Sequence, residues 1–209
     1  MLRLYDNRAS RNGYKVRLLL TQLGLPFERV ELDIFKGESR TPEYLAKNPA
    51  GKIPALELQD GTVLAESGAI LCYLAEGTPY LPDEKLARAQ VLRWIFFEQN
   101  AHETSIAEAR FILGHPELSE GRTGNILAEK QARGNAALAL MDQHLKAHDF
   151  FAAGRYTIAD IALYAYTHVA EEGGFDLGRY PGVQAWLARV EAQPGYVPAT
   201  QDRDGRRFP

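Results

Sequence analysis

Strand-like and helix-like runs alternate in the first part of the chain. Alternating apolar side chains predict a strand at residues 1–5 and a second strand at residues 27–33. The apolar residues between these strands recur at the spacing of one helix face: Val16, Leu19, Leu20 and Leu23. Gly24 and Pro26 end that run. A strand, a helix and a strand in this order predict a βαβ unit with a right-handed crossover.

A hairpin is predicted next, with strands at residues 55–58 and 62–65. The Asp-Gly pair at positions 60–61 favours a tight turn between antiparallel strands. Pro54 stands before the first run, where its missing N–H costs no ladder hydrogen bond. A cis peptide bond at this proline would turn Ile53 outward and leave the N–H and C=O of that residue to an extended peptide.

A helix beginning near Ser67 is predicted after the hairpin, because an apolar run follows at residues 69–74. The first N–H groups of a helix have no partner within it and favour negative charge, so a carboxylate would suit this position. A shorter helix is predicted after Thr41, with Pro42 at its first position. Together these elements predict a thioredoxin-like βαβαββα domain with a mixed sheet.

The chain beyond a break at residues 78–83 is helical in character. One long helix is predicted over residues 83–114 and another over residues 121–148. Thr157 and Asp160 have the spacing of a capping box, which we assign to folding and not to chemistry. The predicted fold class is therefore α/β plus all-α, a thioredoxin-like domain followed by an all-helical bundle. The predicted N-terminal domain, linker and C-terminal domain are residues 1–77, 78–83 and 84–209.

The composition is that of an ordinary soluble protein. Of the 209 residues, 45% are hydrophobic and 24% are charged, and the net charge of −3 predicts neither nucleic acid nor an anionic membrane as a partner. The first residues lack the apolar core of a signal peptide, so we expect a cytosolic protein. The single cysteine, Cys72, excludes an internal disulfide, and the histidines lack the spacing of a metal site, so no metal is expected.

The hairpin and the helix after it resemble a known family. The sequence G-K-I-P-A-L, followed by E-S and an apolar helix, is similar to the glutathione-binding half of the cytosolic glutathione transferases. The resemblance extends over most of the chain and is nearest to bacterial, serine-type, theta/nu-like members. Arg40 and Ser39, in a polar loop, are candidates for the glycyl end of glutathione. A surface role for Arg40 is an open alternative.

The resemblance assigns a part of glutathione, the expected co-substrate, to each residue of the motif. It implies that the backbone of Ile53, next to a cis Pro54, pairs with the cysteinyl part. It implies that Glu66 and Ser67 hold the γ-glutamyl amine and carboxylate, and that Lys52 reaches the glycyl carboxylate. The chemistry agrees, because a tripeptide with two carboxylates and one ammonium meets a cation, a strand edge, an anion and a helix N-terminus.

The residues after the first strand are candidates for activating the sulfur of glutathione. In a thioredoxin-like layout this loop faces the cis-proline loop, so Ser10 and Asn12 would meet the sulfur of a peptide docked on Ile53. A hydroxyl donor, an amide donor and a helix N-terminus each stabilise a thiolate. Lowering a thiol pKa by two units takes about 2.7 kcal/mol. Tyr5 is a weaker candidate, because tyrosine-type classes place a hydroxyl near this position and because core packing explains it as well.

Two features of this loop leave alternatives open. Ser10 resembles the serine of serine-type classes, but serine is also a common helix N-cap. Bacterial relatives often have a cysteine where this chain has Gly13, so we do not expect a covalent mixed disulfide at that position.

The helical half is expected to line the pocket for the second substrate, a small hydrophobic electrophile. The candidate lining residues are Phe97, Asn100, His102 and Phe111. Burial in a bundle core explains each apolar member equally well. The resemblance also implies a homodimer.

The resemblance implies a detoxifying glutathione transferase, in which the activated thiol of glutathione attacks electrophilic, hydroperoxide or disulfide substrates. One alternative is a glutathione-dependent disulfide reductase that uses the same site. Another is a non-catalytic binding module with the same fold. In some members of that family a C-terminal tail covers the active site, and this chain has a charged tail at residues 201–209.

Overall fold

The computed structural model describes residues 1–201, in which the strands form a single mixed sheet. The strands are β1 (Leu2–Asp6), β2 (Phe27–Glu31), β3 (Ala55–Glu57) and β4 (Val63–Ala65), in the spatial order β2-β1-β3-β4. Strands β1 and β2 are parallel, whereas β1 pairs with β3, and β3 with β4, in the antiparallel sense. Leu4 and Leu56 face each other on the two central strands and are fully buried.

Three helices complete the first unit in the predicted βαβαββα order, which confirms the thioredoxin-like arrangement. They are α1 (Arg11–Gln22), α2 (Pro42–Lys47) and α3 (Ser67–Ala75). Helices α1 and α3 pack against each other. Thr41 caps α2 through its side chain, with Pro42 at the first helical position, as predicted.

The second unit, Gly77–Ala192, is all-helical, as predicted. Its helices are α4 (Lys85–Phe97), α5 (Glu103–Gly114), α6 (Asn125–Leu145), α7 (Ile158–Thr167) and α8 (Pro181–Glu191). The Phe151 ring packs between two indoles of the core, with ring centroids 4.6 Å from Trp94 and 5.0 Å from Trp186. No helix among residues 1–201 has both the length and the apolar character that a membrane span requires.

The predicted helix over residues 83–114 is wrong in one respect, because a π-helical turn at Glu98–His102 interrupts it. Side chains beside this turn donate to the main chain of the preceding turn. Asn100 donates to the carbonyl of Phe96 at 2.8 Å, and Thr104 donates to the carbonyl of Asn100 at 3.0 Å. Such bonds compete with the regular helical ladder and are found where helices deform.

The chain returns to the first unit after α8. Residues 193–201 group with Met1–Glu76 and not with the helical unit, whereas the predicted C-terminal domain of residues 84–209 includes them. The hydroxyl of Tyr14 donates to the carbonyl of Val197 at 2.7 Å, and the guanidinium of Arg17 donates to the carbonyl of Ala199 at 3.4 Å. The predicted tail beyond Gln201 lies outside the described residues.

Candidate active site

The loop before β3 presents an extended piece of main chain. The Ile53-Pro54 peptide bond is cis, which is the conformation on which the expected role of Ile53 depends. The carbonyl of Lys52 is held from behind by the hydroxyl of Tyr44 at 2.6 Å and by the amide of Asn48 at 2.8 Å. Within residues 1–201, no backbone hydrogen bond joins Ile53 to another residue. Its N–H and C=O can therefore pair with an extended ligand.

Both predicted cations of this loop are on the surface. The side chains of Lys52 and Arg40 are exposed, and the guanidinium of Arg40 donates to the carbonyl of Ala50 at 3.2 Å. Gly51 has a φ of +60°, and a Cβ there would lie 2.6 Å from the Arg40 guanidinium, so this close approach needs glycine. Arg40 thus stabilises the loop that carries Lys52. Binding of the glycyl carboxylate by either residue stays a prediction.

The start of α3 has an unusual backbone conformation at its predicted ligand-binding residues. Glu66, at the N-cap position, has φ 68° and ψ 113°, which is rare for a residue with a side chain. Such outliers concentrate at ligand-binding sites, where the surrounding structure holds them. Ser67 follows as the first residue of α3 and is only 5% exposed. The N–H groups of this first helical turn have no acceptor within the helix.

Ser10 is the N-cap of α1, and its Oγ accepts a hydrogen bond from the N–H of Gly13 at 3.1 Å. Ser10 therefore caps the helix, which was one of its two predicted roles. Capping does not exclude the other role, stabilisation of a thiolate. The bond occupies a lone pair of the hydroxyl oxygen, and the hydroxyl proton can still be donated to an anion. Ser10 is half-buried, at the positive end of the α1 dipole.

Asn12 and Ser67 are brought together although they are 55 positions apart in the sequence. The Oδ1 atom of Asn12 lies 3.4 Å from the Oγ atom of Ser67. It also accepts a hydrogen bond of 2.7 Å from the ammonium of Lys15. The sequence analysis missed Lys15. Its signal was a lysine within an otherwise apolar helical run, three residues after Asn12, where side chains on one helix face meet.

Tyr5 belongs to the core of the first unit. It is 7% exposed, its ring lies 5.7 Å from that of Tyr44, and its hydroxyl donates to Glu57 at 2.6 Å. Hydrogen bonds from Lys47 and then from Tyr5 hold the pKa of Glu57 below its ordinary value. The hydroxyl of Tyr5 is therefore committed to this carboxylate, so the structure favours packing over thiolate stabilisation for this residue.

Gly13 packs directly against the buried carboxylate of Asp6. Asp6 lies one residue beyond the strand predicted at residues 1–5, is the last residue of β1, is fully buried and forms an ion pair with Arg17. Burial raises the pKa of Asp6 to about 6, although Arg17 opposes that shift. A Cβ on Gly13 would overlap the Asp6 carboxylate. A cysteine side chain at this position would therefore displace the Asp6 carboxylate.

The four predicted electrophile contacts have different environments within the helical unit. Phe97 is half-buried and packs edge-on against Trp94, Asn100 is exposed, and Phe111 is half-buried. His102 is 0% exposed, and its Nε2 lies 2.8 Å from the hydroxyl of Thr167. This burial corrects the expectation that His102 lines an open pocket. Contact of the other three with an electrophile stays a prediction.

Family comparisons agree with this geometry. The pattern described as "Glutathione S-transferase, N-terminal domain" matches residues 1–76, and that of the C-terminal domain matches residues 104–194. The chain belongs to the glutathione S-transferase family. The resemblance drawn from the G-K-I-P-A-L and E-S motifs is thus confirmed.

Three relatives show the range of this family around the chain. A crystal structure of a glutathione S-transferase from Pseudomonas fluorescens Pf-5 is 51% identical, covers 95% of this chain and 98% of its own length, and has a TM-score of 0.92. A glutathione transferase family member from the same organism, with two glutathione bound, is 29% identical, with coverages of 93% and 89% and a TM-score of 0.80. The transcriptional regulator URE2 of Saccharomyces cerevisiae is 26% identical over 94% of this chain, which spans 66% of the length of that relative.

Proposed function

We propose that this protein is a glutathione transferase that converts the thiol of bound glutathione into a thiolate and directs it at an electrophile. The sulfur gives its proton to solvent, and its electron pair then forms a bond to an electrophilic carbon. A leaving group departs with the electrons of the bond that breaks, or a double bond takes them up. The protein contributes thiolate stabilisation and proximity.

The observation that carries this proposal is the combination of groups on one unit. Three features suit the chemistry of glutathione. The main chain of Ile53 beside the cis proline can pair with the cysteinyl part. Glu66, with its unusual backbone, and the helix start at Ser67 suit the γ-glutamyl amine and carboxylate. The Ser67 side chain in turn meets Asn12 of α1. A γ-glutamyl group held by α3 would therefore lie beside the end of α1 that carries the candidate thiolate donors. The glutathione-bound family member supports the same ligand.

The start of α1 can supply the energy that thiolate formation needs. Ser10 offers a hydroxyl proton, Asn12 offers an amide, and the helix dipole favours negative charge there. Hydrogen bonds to a charged group contribute about 1.5–3 kcal/mol each, so two of them can provide the roughly 2.7 kcal/mol that a two-unit fall in thiol pKa requires. The chain's own cysteine is not needed, because glutathione brings the sulfur.

The proposal includes a cytosolic homodimer with a detoxifying role and a hydrophobic electrophile held by the helical unit. The half-buried rings of Phe97 and Phe111, with Asn100, are the proposed contacts for that electrophile. Lys52 and Arg40 are the proposed contacts for the glycyl carboxylate, because both cations are on or beside the loop that precedes Ile53.

The test separates the two roles of Ser10. Ser10→Gly removes the hydroxyl but costs only a few tenths of a kcal/mol as an N-cap, whereas Ser10→Ala costs about 1 kcal/mol. Both variants should raise the pKa of the bound thiol by about one unit, because both lose the same charge-assisted bond. The measurement is the thiolate absorbance of bound glutathione as a function of pH, with binding by calorimetry and stability by denaturation.

Thiol pKa values raised equally above wild type in the two variants, with unequal stabilities, would support a chemical role for Ser10. A thiol pKa unchanged from wild type in both would remove Ser10 from the chemistry. Asn12→Ala, measured in the same way, would then show whether the amide provides the stabilisation. Failure of the wild-type protein to bind glutathione would refute the whole proposal.

Two alternatives have observations in their favour. The similarity to a transcriptional regulator favours a non-catalytic glutathione-binding module, and the family member with two glutathione bound favours a disulfide reductase. In the latter, one thiolate attacks the substrate disulfide and expels a thiolate. The thiolate of a second glutathione then attacks the glutathione sulfur of the mixed disulfide, which forms oxidised glutathione and expels the remaining substrate thiolate.

Retention on immobilised glutathione, followed by three assays, distinguishes these functions. Turnover of a chloronitrobenzene supports the transferase, whereas turnover of a small disulfide alone supports the reductase. Cumene hydroperoxide detects peroxidase activity at the same site. Retention without turnover of any of these substrates would favour the binding module.

A further inference from the structure

Lys15 is a buried cation beneath the proposed glutathione site. It lies in the second turn of α1 and is 1% exposed, among the largest fully buried side chains of the described residues. Its ammonium is 2.7 Å from the Oδ1 atom of Asn12 and 3.5 Å from the Oγ atom of Ser67. Burying an ammonium costs several kcal/mol unless polar partners receive its protons. The two partners are residues proposed to meet glutathione.

The chemistry of Lys15 determines which way the Asn12 amide faces. An ammonium has three donors and no acceptor, so only the oxygen end of the amide can bond to it. The hydroxyl of Ser67 lies within 3.4 Å of the same oxygen and donates to it as well. With its oxygen held by these two donors, the amide must direct its NH2 group away from the ammonium. The orientation of an asparagine amide is set by such networks.

We propose that Lys15 is a positioning residue that fixes the Asn12 amide with its oxygen inward and its NH2 group toward the sulfur of glutathione. The inference rests on the proposed function. An anion such as a thiolate can accept a bond from the NH2 group but is repelled by the carbonyl oxygen. Without Lys15, the amide can turn over and present the wrong end. Lys15 thus acts through Asn12 and does not itself touch the reacting sulfur.

Four variants test this inference in a double-mutant cycle. Lys15→Met keeps most of the side-chain length and removes the donors, whereas Lys15→Arg keeps a donating cation. Asn12→Ala removes the group through which Lys15 acts, and the fourth variant combines Lys15→Met with Asn12→Ala. The first readout is the thiolate absorbance of bound glutathione as a function of pH. The second is the side-chain amide resonance of Asn12 in the ligand-free protein, identified by its loss in Asn12→Ala.

We expect Lys15→Met to raise the pKa of the bound thiol by about one unit, which is about a tenfold fall in its acid dissociation constant. The amide resonance of Asn12 should shift in the same variant. Lys15→Arg should restore much of both signals. In the Asn12→Ala background, Lys15→Met should change the thiol pKa by much less, because coupled residues do not have additive effects.

The outcomes separate this inference from the function on which it rests. An unchanged thiol titration in a folded, glutathione-binding Lys15→Met variant overturns the role of Lys15 alone. A full additional effect of Lys15→Met in the Asn12→Ala background overturns the action through Asn12. A wild-type protein that leaves the bound thiol at its solution pKa overturns thiolate stabilisation itself. A purely structural lysine would lower the melting temperature without moving the Asn12 resonance or the thiol pKa, which also overturns the inference.

Discussion

Helices α1 and α7 begin with similar groups and use them differently. Each has a hydroxyl N-cap, Ser10 for α1 and Thr157 for α7, and each has a fully buried aspartate nearby, Asp6 and Asp160. At α7 the predicted capping box is present, and the aspartate accepts from the N–H of its own cap residue at 2.9 Å. At α1 the aspartate is paired with a cation from within the helix, and the cap residue remains half-buried.

This difference shows that similar groups at two helix N-termini can have different hydrogen-bond partners. Asp160 also accepts from the main chain of Phe151 at 3.2 Å and from the indole of Trp186 at 3.0 Å, so the α7 terminus is closed within the protein. The first turn of α1 contains no acidic residue, and its Asn12 side chain lies beside Ser67. A helix terminus without a nearby carboxylate of its own favours the binding of an anion.

The largest expected effect is a loss of stability when the hydrogen bonds of Asp160 at the N-terminus of α7 are removed. Asp160→Ala should lower the free energy of unfolding by about 4 kcal/mol, because it leaves several buried donors without an acceptor. Urea denaturation followed by tryptophan fluorescence measures this loss. Asp149→Ala, at an exposed aspartate of the same unit, is the matched control and should cost less than about 0.5 kcal/mol. Similar losses in the two variants would contradict the special role of the α7 terminus.

The next largest effect is a loss of stability when a side chain is added at Gly13, in the first turn of α1. Gly13→Ala should cost about 2–3 kcal/mol, because the added methyl group overlaps the Asp6 carboxylate and forces it away from Arg17. Gly114→Ala, at an uncrowded helical glycine of α5, is the control and should be neutral or stabilising. Thermal denaturation compares the two. A Gly13→Ala protein as stable as Gly114→Ala would show that the first turn of α1 can relax around the carboxylate.

The smallest expected effect is the pH dependence of the free energy of unfolding that Asp160 causes. Burial raises the pKa of Asp160 from the ordinary value of 3.8 to about 6, so the folded state binds its proton more tightly than the unfolded state. The stability gained by protonation is therefore present below about pH 4 and is lost as the pH rises through 6. The stability advantage of wild type over Asp160→Asn should be larger at about pH 4.5 than at pH 7, by roughly 2 kcal/mol.

Urea denaturation of both proteins across this pH range measures that difference. Asp6, whose pKa burial also raises to about 6, is present in both proteins and cancels from the comparison. A constant difference between wild type and Asp160→Asn would show that the hydrogen bonds of Asp160 outweigh its burial.

The sequence predicted those features that depend on local chemistry. The Asp-Gly turn, the proline before β3, the Thr157 capping box and the helix start at Ser67 each rest on residues close together in the chain. The order of these elements then led to the thioredoxin-like domain and to the glutathione site.

Features that depend on distant contacts were missed. The burial of Lys15 depends on Ser67 of another helix, and that of His102 on Thr167. Asp6 was left outside the strand predicted at residues 1–5, because its ion-pair partner, Arg17, lies across the strand-to-helix junction. Charged and polar side chains are normally exposed. The hydrophobic periodicity of the sequence therefore predicts a surface position for them, and only a known tertiary partner indicates that they are buried.

The return of the chain after α8 makes the first unit a discontinuous domain, with the helical unit as an insertion between residues 76 and 193. A fragment cut at Glu76 would lack the acceptors at Val197 and Ala199 for two side chains of α1. Dissecting this protein into independently folding parts therefore calls for a short peptide bridge in place of the insertion, and not for a simple truncation.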